Sequence, residues 1–257
     1  MTTPGRHVRF GLGLISLGRT WGFRPAPLPS AEEARKLLSL AVELGVTVFD
    51  TAPAYGASEA LAGEFFRALT PVRRRCLTLA TKCGEHWDET RRATWVDHSE
   101  PVLRDSLARS YRLLGSIDVL QVHKTTAEVL RNPGLWRVLD AARARGVAQI
   151  GASVSDLEAG RLACEIDAID LIQMPYNVRF RALESLFDLA MERGKLVWTN
   201  RPFATGAMIH EDGARLVDAY RQVLGQRFAG AILTGTVNPR HLREDWEAFE
   251  RAQKQDV

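Results

Sequence analysis

The sequence has few cysteines and lacks the patterns that would place them in a metal centre or a disulfide framework. Only three cysteines occur in 257 residues, and none belongs to a Cys-x-x-Cys motif. No His-x-His pair or group of carboxylates ends a predicted strand, so we predict no metal site. Cysteines used as small core residues are typical of a reducing compartment, and we expect a cytoplasmic protein.

Long apolar runs are also missing. The first ten residues, MTTPGRHVRF, contain no apolar signal core, and no stretch is long enough to span a bilayer. The net charge is +3 and the pI is about 8.9. The one tight cationic run, residues 73–75, is expected in a solvated loop between a helix and a strand. We therefore expect a soluble protein with neither a nucleic-acid nor a membrane partner, either a monomer or a small homo-oligomer.

What the sequence does contain is a regular alternation of short apolar runs and longer segments of helical periodicity. Ser30 followed by Glu33 has the pattern of a capping box at the start of one helix. The predicted strands are residues 11–16, 47–50, 77–81, 117–123, 148–153, 168–174, 196–200 and 230–234. The predicted helices are residues 30–44, 58–69, 99–114, 135–145, 156–165, 181–193, 213–224 and 239–251.

Eight strand-helix units in a chain of this length fit a closed parallel barrel. The competing fold is an open, doubly wound sheet, which usually carries a Gly-x-Gly-x-x-Gly motif that opens the first helix. Residues 11–18, GLGLISLG, match that motif only loosely and lie largely within the first predicted strand. We predict an α/β protein, a (β/α)8 TIM barrel, that forms one domain over residues 1–257.

Four polar residues of different chemistry follow the ends of neighbouring predicted strands. They are Asp50, Tyr55, Lys82 and His123. Singly, each has an ordinary structural explanation, such as a helix cap for Asp50 or a core position for His123. Because a barrel brings the carboxyl ends of its strands to one rim, we expect the four side chains to meet there and to form a catalytic site.

The chemistry of this set favours proton donation to a carbonyl oxygen. A free tyrosine has a pKa near 10, and an adjacent ammonium is expected to lower that pKa. Lys82 would supply the ammonium and Asp50 its counter-ion. His123 would donate a hydrogen bond to the oxygen on which negative charge develops. The hydride for such a reduction must come from a cofactor.

Several segments resemble the aldo-keto reductases. Residues 49–64, FDTAPAYGASEALAGE, are similar to the FDTA–Tyr-Gly–Ser-Glu signature of that family, and Thr81-Lys82 and residues 117–124, IDVLQVHK, are similar to its third and fourth strands. The resemblance implies a carbonyl reductase in which Tyr55 is the general acid. Lys82 and Asp50 would then tune this acid, and His123 would orient the carbonyl of a small-molecule substrate.

The same resemblance implies NADP(H) as the cofactor, with NAD(H) as the alternative because Val237 stands where many NADP-preferring members carry a basic residue. Ser153 and Gln173 would hold the carboxamide, and Tyr176 would stack on the nicotinamide ring. Residues 232–245 resemble the segment that closes on the adenine end. The cofactor-binding residues expected there and on the seventh strand are Arg201, Thr234, Gly235, Thr236, Arg240 and His241.

The substrate pocket is expected to be open, because the chain ends soon after the eighth predicted helix. Its walls would come from the loops after the first and third strands, through Arg19, Trp21 and Phe23 on the first and His86 and Trp87 on the third. We also considered a cofactor-binding regulatory or sensor protein of this fold with little turnover, and an unrelated barrel enzyme such as a metal-dependent hydrolase. The four polar residues at one rim favour the reductase.

Overall fold

A closed barrel of parallel strands organises the computed structural model, which describes residues 7–24, 26–211 and 215–254. The strands are β1 (Val8–Gly13), β2 (Val48–Asp50), β3 (Thr78–Cys83), β4 (Glu85–Asp88), β5 (Ala93–Val96), β6 (Val119–Thr125), β7 (Gln149–Val154), β8 (Leu171–Pro175), β9 (Leu196–Asn200) and β10 (Gly230–Thr234). Around the barrel the order is β1-β10-β9-β8-β7-β6-β3-β2, and β2 pairs with β1 to close it. The predicted (β/α)8 barrel is confirmed.

Helices connect and cover these strands. They are α1 (Ile15–Gly18), α2 (Ala31–Glu43), α3 (Ser58–Ala68), α4 (Pro71–Arg75), α5 (Glu100–Leu114), α6 (Ala127–Arg131), α7 (Pro133–Ala144), α8 (Leu157–Glu165), α9 (Leu186–Glu192), α10 (Ala207–Glu211), α11 (Leu216–Leu224) and α12 (Pro239–Lys254). The predicted capping box is present at α2, where Ser30 and Glu33 bond each other's backbone N–H groups. In the described ranges, no helix combines the length and the apolar character needed to cross a membrane.

The barrel has two apolar cores. The smaller fills the inside of the barrel and includes Val48, Val119, Leu171 and the fully buried Trp198. The larger lies between the strands and the helices. A filled interior means that the barrel is a scaffold rather than a pore, so ligands have to bind at its ends.

Several boundaries differ from the sequence-based expectation. The first strand begins at Val8 and ends at Gly13, whereas residues 11–16 were predicted, because Ile15–Gly18 turns into the short helix α1. An apolar run alone cannot distinguish these two states. The third strand extends to Cys83, so Lys82 lies inside the strand instead of following it. Residues 73–75 belong to the helix α4, which Thr70 caps, rather than to a loop.

A hairpin that the sequence did not indicate follows the third barrel strand. Strands β4 and β5 pair antiparallel, with His86 opposite Trp95. The predicted helix over residues 181–193 is shorter, since α9 covers Leu186–Glu192. The predicted helix over residues 213–224 is observed as Leu216–Leu224, and its first two residues lie outside the described ranges.

Candidate active site

A cavity of about 640 Å³ lies at the carboxyl ends of the barrel strands. Asp50, Tyr55 and His123 line one part of it, and residues 234–238 with His241 line another. Three of the four predicted catalytic residues therefore share one cavity with part of the predicted cofactor segment. The fourth, Lys82, is buried directly behind Asp50.

Asp50 and Lys82 form a buried ion pair. Lys82 Nζ donates to Asp50 Oδ2 at 2.5 Å and to the carbonyl oxygen of Thr51 at 3.1 Å. Gln121 and Gln173 donate to the two carboxylate oxygens of Asp50 at 2.9 and 3.1 Å. Burial lowers the pKa of Lys82, but the interactions with the Asp50 carboxylate and with Tyr55 outweigh it and leave that pKa raised. Lys82 is therefore an ammonium over the whole physiological range.

Two glycines determine where Tyr55 lies. Tyr55 ends the 3₁₀ turn Pro53–Tyr55, and Gly56 follows it with a φ of 57°, which favours glycine. A Cβ on Gly18 would overlap the carbonyl oxygen of Tyr55, and a Cβ on Gly56 would overlap the carbonyl oxygen of Gly18. This close backbone contact between α1 and the turn fixes the phenol against the cavity.

The electrostatics of Tyr55 differ from the sequence-based expectation. Burial raises the pKa of Tyr55 above its usual value of 10.0, and the charge of Lys82 lowers it by less. The Lys82 ammonium lies 5.1 Å from the centre of the Tyr55 ring. The prediction that Lys82 lowers the pKa of Tyr55 is correct. The prediction that this pKa lies below its usual value is wrong, because desolvation is the larger cause. Tyr55 is thus a protonated phenol at neutral pH.

His123 meets Tyr55 edge to face, with ring centres 5.9 Å apart. Burial, followed by the charges of Lys82 and Lys124, holds the pKa of His123 well below 6.5, so the imidazole is neutral. Its Nδ1 is buried and lies 3.2 Å from Oε2 of Glu85, but it has no hydrogen-bond partner among the described residues. His98 Nε2 donates to the His123 carbonyl oxygen at 2.7 Å and fixes its backbone.

The ends of three neighbouring strands offer polar atoms for a carboxamide. Ser153 on β7 pairs in register with Gln173 on β8, and both line the cavity. The acceptors Gln173 Oε1 and Asn200 Oδ1 are buried and have no hydrogen-bond partner among the described residues. Such orphaned acceptors fit an amide group that donates two N–H bonds.

Tyr176 does not lie with this group. The strand β8 ends at Pro175, and the Tyr176 ring is fully buried against Phe187, with ring centres 4.9 Å apart. Its hydroxyl donates to Glu184 at 3.1 Å. The expected stacking of Tyr176 on nicotinamide is therefore at odds with the structure, because its side chain packs in the outer core and is not part of the cavity lining.

The predicted adenine-end residues divide into two groups. Thr234, Gly235, Thr236 and His241 line the cavity, and so does Arg201. Arg240 is exposed, is not part of the lining and has its Nε 3.3 Å from Glu244. The carboxyl groups of Glu244 and Asp245 also face this region as lining residues, and burial raises the pKa of Asp245 to about 7.

Comparison with known proteins identifies the family. Residues 9–216 match the family model described as the Aldo/keto reductase family. The chain belongs to this family. Aldo-keto reductases are oxidoreductases of carbonyl compounds that use nicotinamide cofactors.

The individual relatives have low sequence identity to this chain. The chain is 27% identical to an NADH-specific methylglyoxal reductase of Escherichia coli over 80% of its own length and 67% of that protein. It is 28% identical to the aldo-keto reductase YhdN of Bacillus subtilis over 68% of its own length and 52% of that protein. The chain therefore covers between half and two thirds of these curated relatives. A solved structure of a candidate aldo-keto reductase from Pseudomonas aeruginosa is 26% identical, with a TM-score of 0.80 over 95% of this chain and 90% of that one.

The substrate side of this aldo-keto reductase differs from the sequence-based expectation. Trp21 lines the cavity and is 37% exposed. His86 and Trp87 do not line it: His86 stacks on Trp95 with ring centres 4.3 Å apart, and Trp87 lies beneath Arg19.

Arg19, which was expected as a wall of the pocket, does line the cavity, whereas Glu85 and Asn200 are lining residues that the sequence-based site did not include. Only Asn200 had a signal, since it ends a predicted strand. The described residues contain no group of three side chains suited to a metal ion.

Proposed function

We propose that the chain reduces an aldehyde or ketone to the alcohol by hydride transfer from NADP(H) or NAD(H), with Tyr55 as the general acid. The observation that carries this proposal is the convergence of Tyr55, the Lys82–Asp50 pair and His123 on one end of the cavity. A bound nicotinamide supplies the hydride. The protein's own residues supply the proton and the positions of the reacting groups.

The proton is held on the Tyr55 oxygen. Because burial keeps the phenol protonated, it can transfer a proton to an oxygen that gains negative charge as the carbonyl is reduced. The phenolate left behind is stabilised by the Lys82 ammonium, whose own charge is maintained by Asp50. His123 positions the substrate oxygen from the other side of Tyr55.

The fit of a nicotinamide cofactor rests on the orphaned acceptors of Gln173 and Asn200 and on the Ser153 hydroxyl beside them. Arg201 and His241 are the basic lining side chains proposed to meet phosphate groups. Arg240, which sequence reasoning assigned to the same role, is paired with Glu244 and is not included. NADP(H) preference therefore rests on His241, opposed by Glu244.

The direct test compares wild type with Tyr55→Phe and with the matched control Tyr111→Phe, whose buried hydroxyl lies on α5 outside the cavity. Oxidation of NADPH and NADH is followed with a panel of aldehydes and ketones, and cofactor binding is followed by fluorescence. We expect Tyr55→Phe to lose at least about 100-fold in kcat with an unchanged cofactor Kd, and the control to keep its rate. Wild-type protein that binds cofactor but reduces nothing would favour a sensor role.

A further inference from the structure

A guanidinium without a carboxylate partner stands beside the proposed catalytic tyrosine. Arg19 follows α1, is half-buried and lines the cavity. Its Nη1 donates to the carbonyl oxygen of Ala54, the residue before Tyr55, at 3.2 Å. None of the ion pairs that the described residues form includes Arg19. Most of its N–H donors therefore have no acceptor in the described parts of the chain.

Two tryptophan rings hold this guanidinium in place. Arg19 Cζ lies 4.9 Å from the centre of the Trp87 ring and 5.5 Å from that of Trp21. Contact with an aromatic face stabilises a cation and restricts its movement without neutralising its charge. The Arg19 guanidinium is held in place, is partly removed from water and has no counter-ion among the described residues, so it is suited to bind an anionic ligand.

The position of Arg19 assigns that ligand to the substrate rather than to the cofactor phosphates. Arg19 donates a hydrogen bond to the carbonyl oxygen of Ala54, the residue before Tyr55, and it is close enough to His123 for its charge to lower the pKa of that imidazole. Of the two side chains proposed to meet phosphate groups, His241 lies on α12. The other, Arg201, contacts the Trp21 ring at 5.6 Å but makes no hydrogen bond beside Tyr55 in the described parts of the chain. An anion on Arg19 would thus be attached to the molecule whose carbonyl meets Tyr55.

The neighbouring carboxylates do not cancel this charge. Asp50 is neutralised by Lys82 at 2.5 Å. Glu85 is shared between His123 at 3.2 Å and Lys124 at 3.7 Å. Arg19 is therefore a cation beside Tyr55 and His123 that has neither a carboxylate partner among the described residues nor a proposed cofactor role.

We propose that the carbonyl substrate carries a carboxylate or phosphate group, which Arg19 binds through paired charge-assisted hydrogen bonds. The proposal rests on the proposed carbonyl reduction and names its substrate class. It also changes the expected role of Trp87, which would act by holding Arg19 and not by touching the substrate.

The first experiment uses pairs of substrates that differ only in the anion. 4-Carboxybenzaldehyde is compared with its methyl ester, and glyceraldehyde 3-phosphate with glyceraldehyde. We expect kcat/KM to be at least about tenfold higher for the anionic member of one pair, since charge-assisted hydrogen bonds are stronger than neutral ones. The pair that shows the preference identifies the anion. Equal values in both pairs would overturn the proposal.

The second experiment changes the guanidinium. Arg19→Leu should raise KM for the preferred anionic substrate by about tenfold or more relative to its effect on the uncharged partner, and should leave cofactor Kd unchanged. Arg19→Lys should lie between, because lysine keeps the charge but lacks the planar fork. Arg161→Leu, which removes an exposed arginine from α8, is the control. An undiminished preference in folded Arg19→Leu would assign the anion to another residue and overturn the proposal.

The proposal can still be tested if Arg19→Leu does not fold or if wild type shows no reductase activity. If Arg19→Leu does not fold, the wild-type ratio and its decrease with added salt decide the question, and a salt-independent ratio counts against the proposal. If wild type reduces no carbonyl compound, the proposed function fails. Saturable thermal stabilisation by benzoate or inorganic phosphate, lost in Arg19→Leu, would then still support the anion site, and its absence would refute it.

Discussion

The carboxylate of Glu85 lies 3.2 Å from Nδ1 of His123. The imidazole is neutral because burial holds its pKa well below 6.5, so it carries one proton. The nearby carboxylate favours that proton on Nδ1, which leaves Nε2 as an acceptor. This arrangement opposes the donor role expected for His123 from the sequence.

We therefore expect Glu85→Gln to improve carbonyl reduction. The amide N–H can donate to Nδ1 and move the imidazole proton to Nε2, where it can bond the developing oxyanion. The expected result is a kcat/KM for reduction that rises by about tenfold. Nitrogen-15 NMR of His123 reports the tautomer directly. Glu89→Gln, an exposed change in the same hairpin, is the control, and an unaltered tautomer in Glu85→Gln would rule the explanation out.

Lys82→Met should remove the stabilisation of the Tyr55 phenolate. Since the ammonium lowers the pKa of Tyr55, its loss should move the alkaline limb of the pH–rate profile to higher pH and reduce kcat by about 100-fold or more. Lys195→Met is a matched control, because Lys195 is also buried but donates to the Ile166 carbonyl at 2.9 Å, before β9. We expect the control to lose stability and to keep the wild-type profile. An identical alkaline limb in both variants would show that Lys82 does not tune the acid.

Cofactor preference should respond to two side chains of α12, His241 and Glu244. Glu244→Gln should raise the preference for NADPH over NADH by about tenfold, roughly 1.4 kcal/mol, because a carboxylate near the ribose end disfavours a second phosphate. His241→Ala should lower that preference by a similar factor. Dissociation constants for both cofactors, measured by fluorescence titration, give the ratio. If both variants keep the wild-type ratio, neither side chain meets the adenosine end.

Whether a site residue could be predicted from the sequence depends on where it lies in the fold. Asp50, Lys82 and His123 could be assigned because strand ends in a barrel converge whatever the loops do. Glu85 could not, because a short hairpin has no periodic pattern, and the sequence indicates Arg19 only as part of a loop that walls the pocket. The Tyr176 interpretation rested on the family resemblance of residues 172–177, and it failed because Tyr176 follows Pro175, where the chain leaves the strand. The net pKa shift of Tyr55 depends on burial, which a list of charged neighbours does not reveal.

Asp245 should make the protein less stable as the pH rises through the neutral range. Its carboxyl group is buried and accepts a hydrogen bond from Thr234 at 3.3 Å. Burial raises its pKa from 3.8 to about 7. Between these values the unfolded chain releases the proton while the folded chain retains it, so the free energy of unfolding falls with rising pH and levels off above about pH 7.

Asp245→Asn removes this titration and keeps an acceptor for Thr234. We expect the stability of Asp245→Asn relative to wild type to increase by about 2 to 3 kcal/mol between roughly pH 5 and pH 8, as measured by urea unfolding at both pH values. The exposed change Asp140→Asn on α7 should show no such increase. A stability difference between Asp245→Asn and wild type that is the same at both pH values would mean that Asp245 is ionised throughout in the folded chain. The carboxylate would then face the cavity beside His241 under all conditions, and NADPH affinity in Asp245→Asn would rise equally at both pH values.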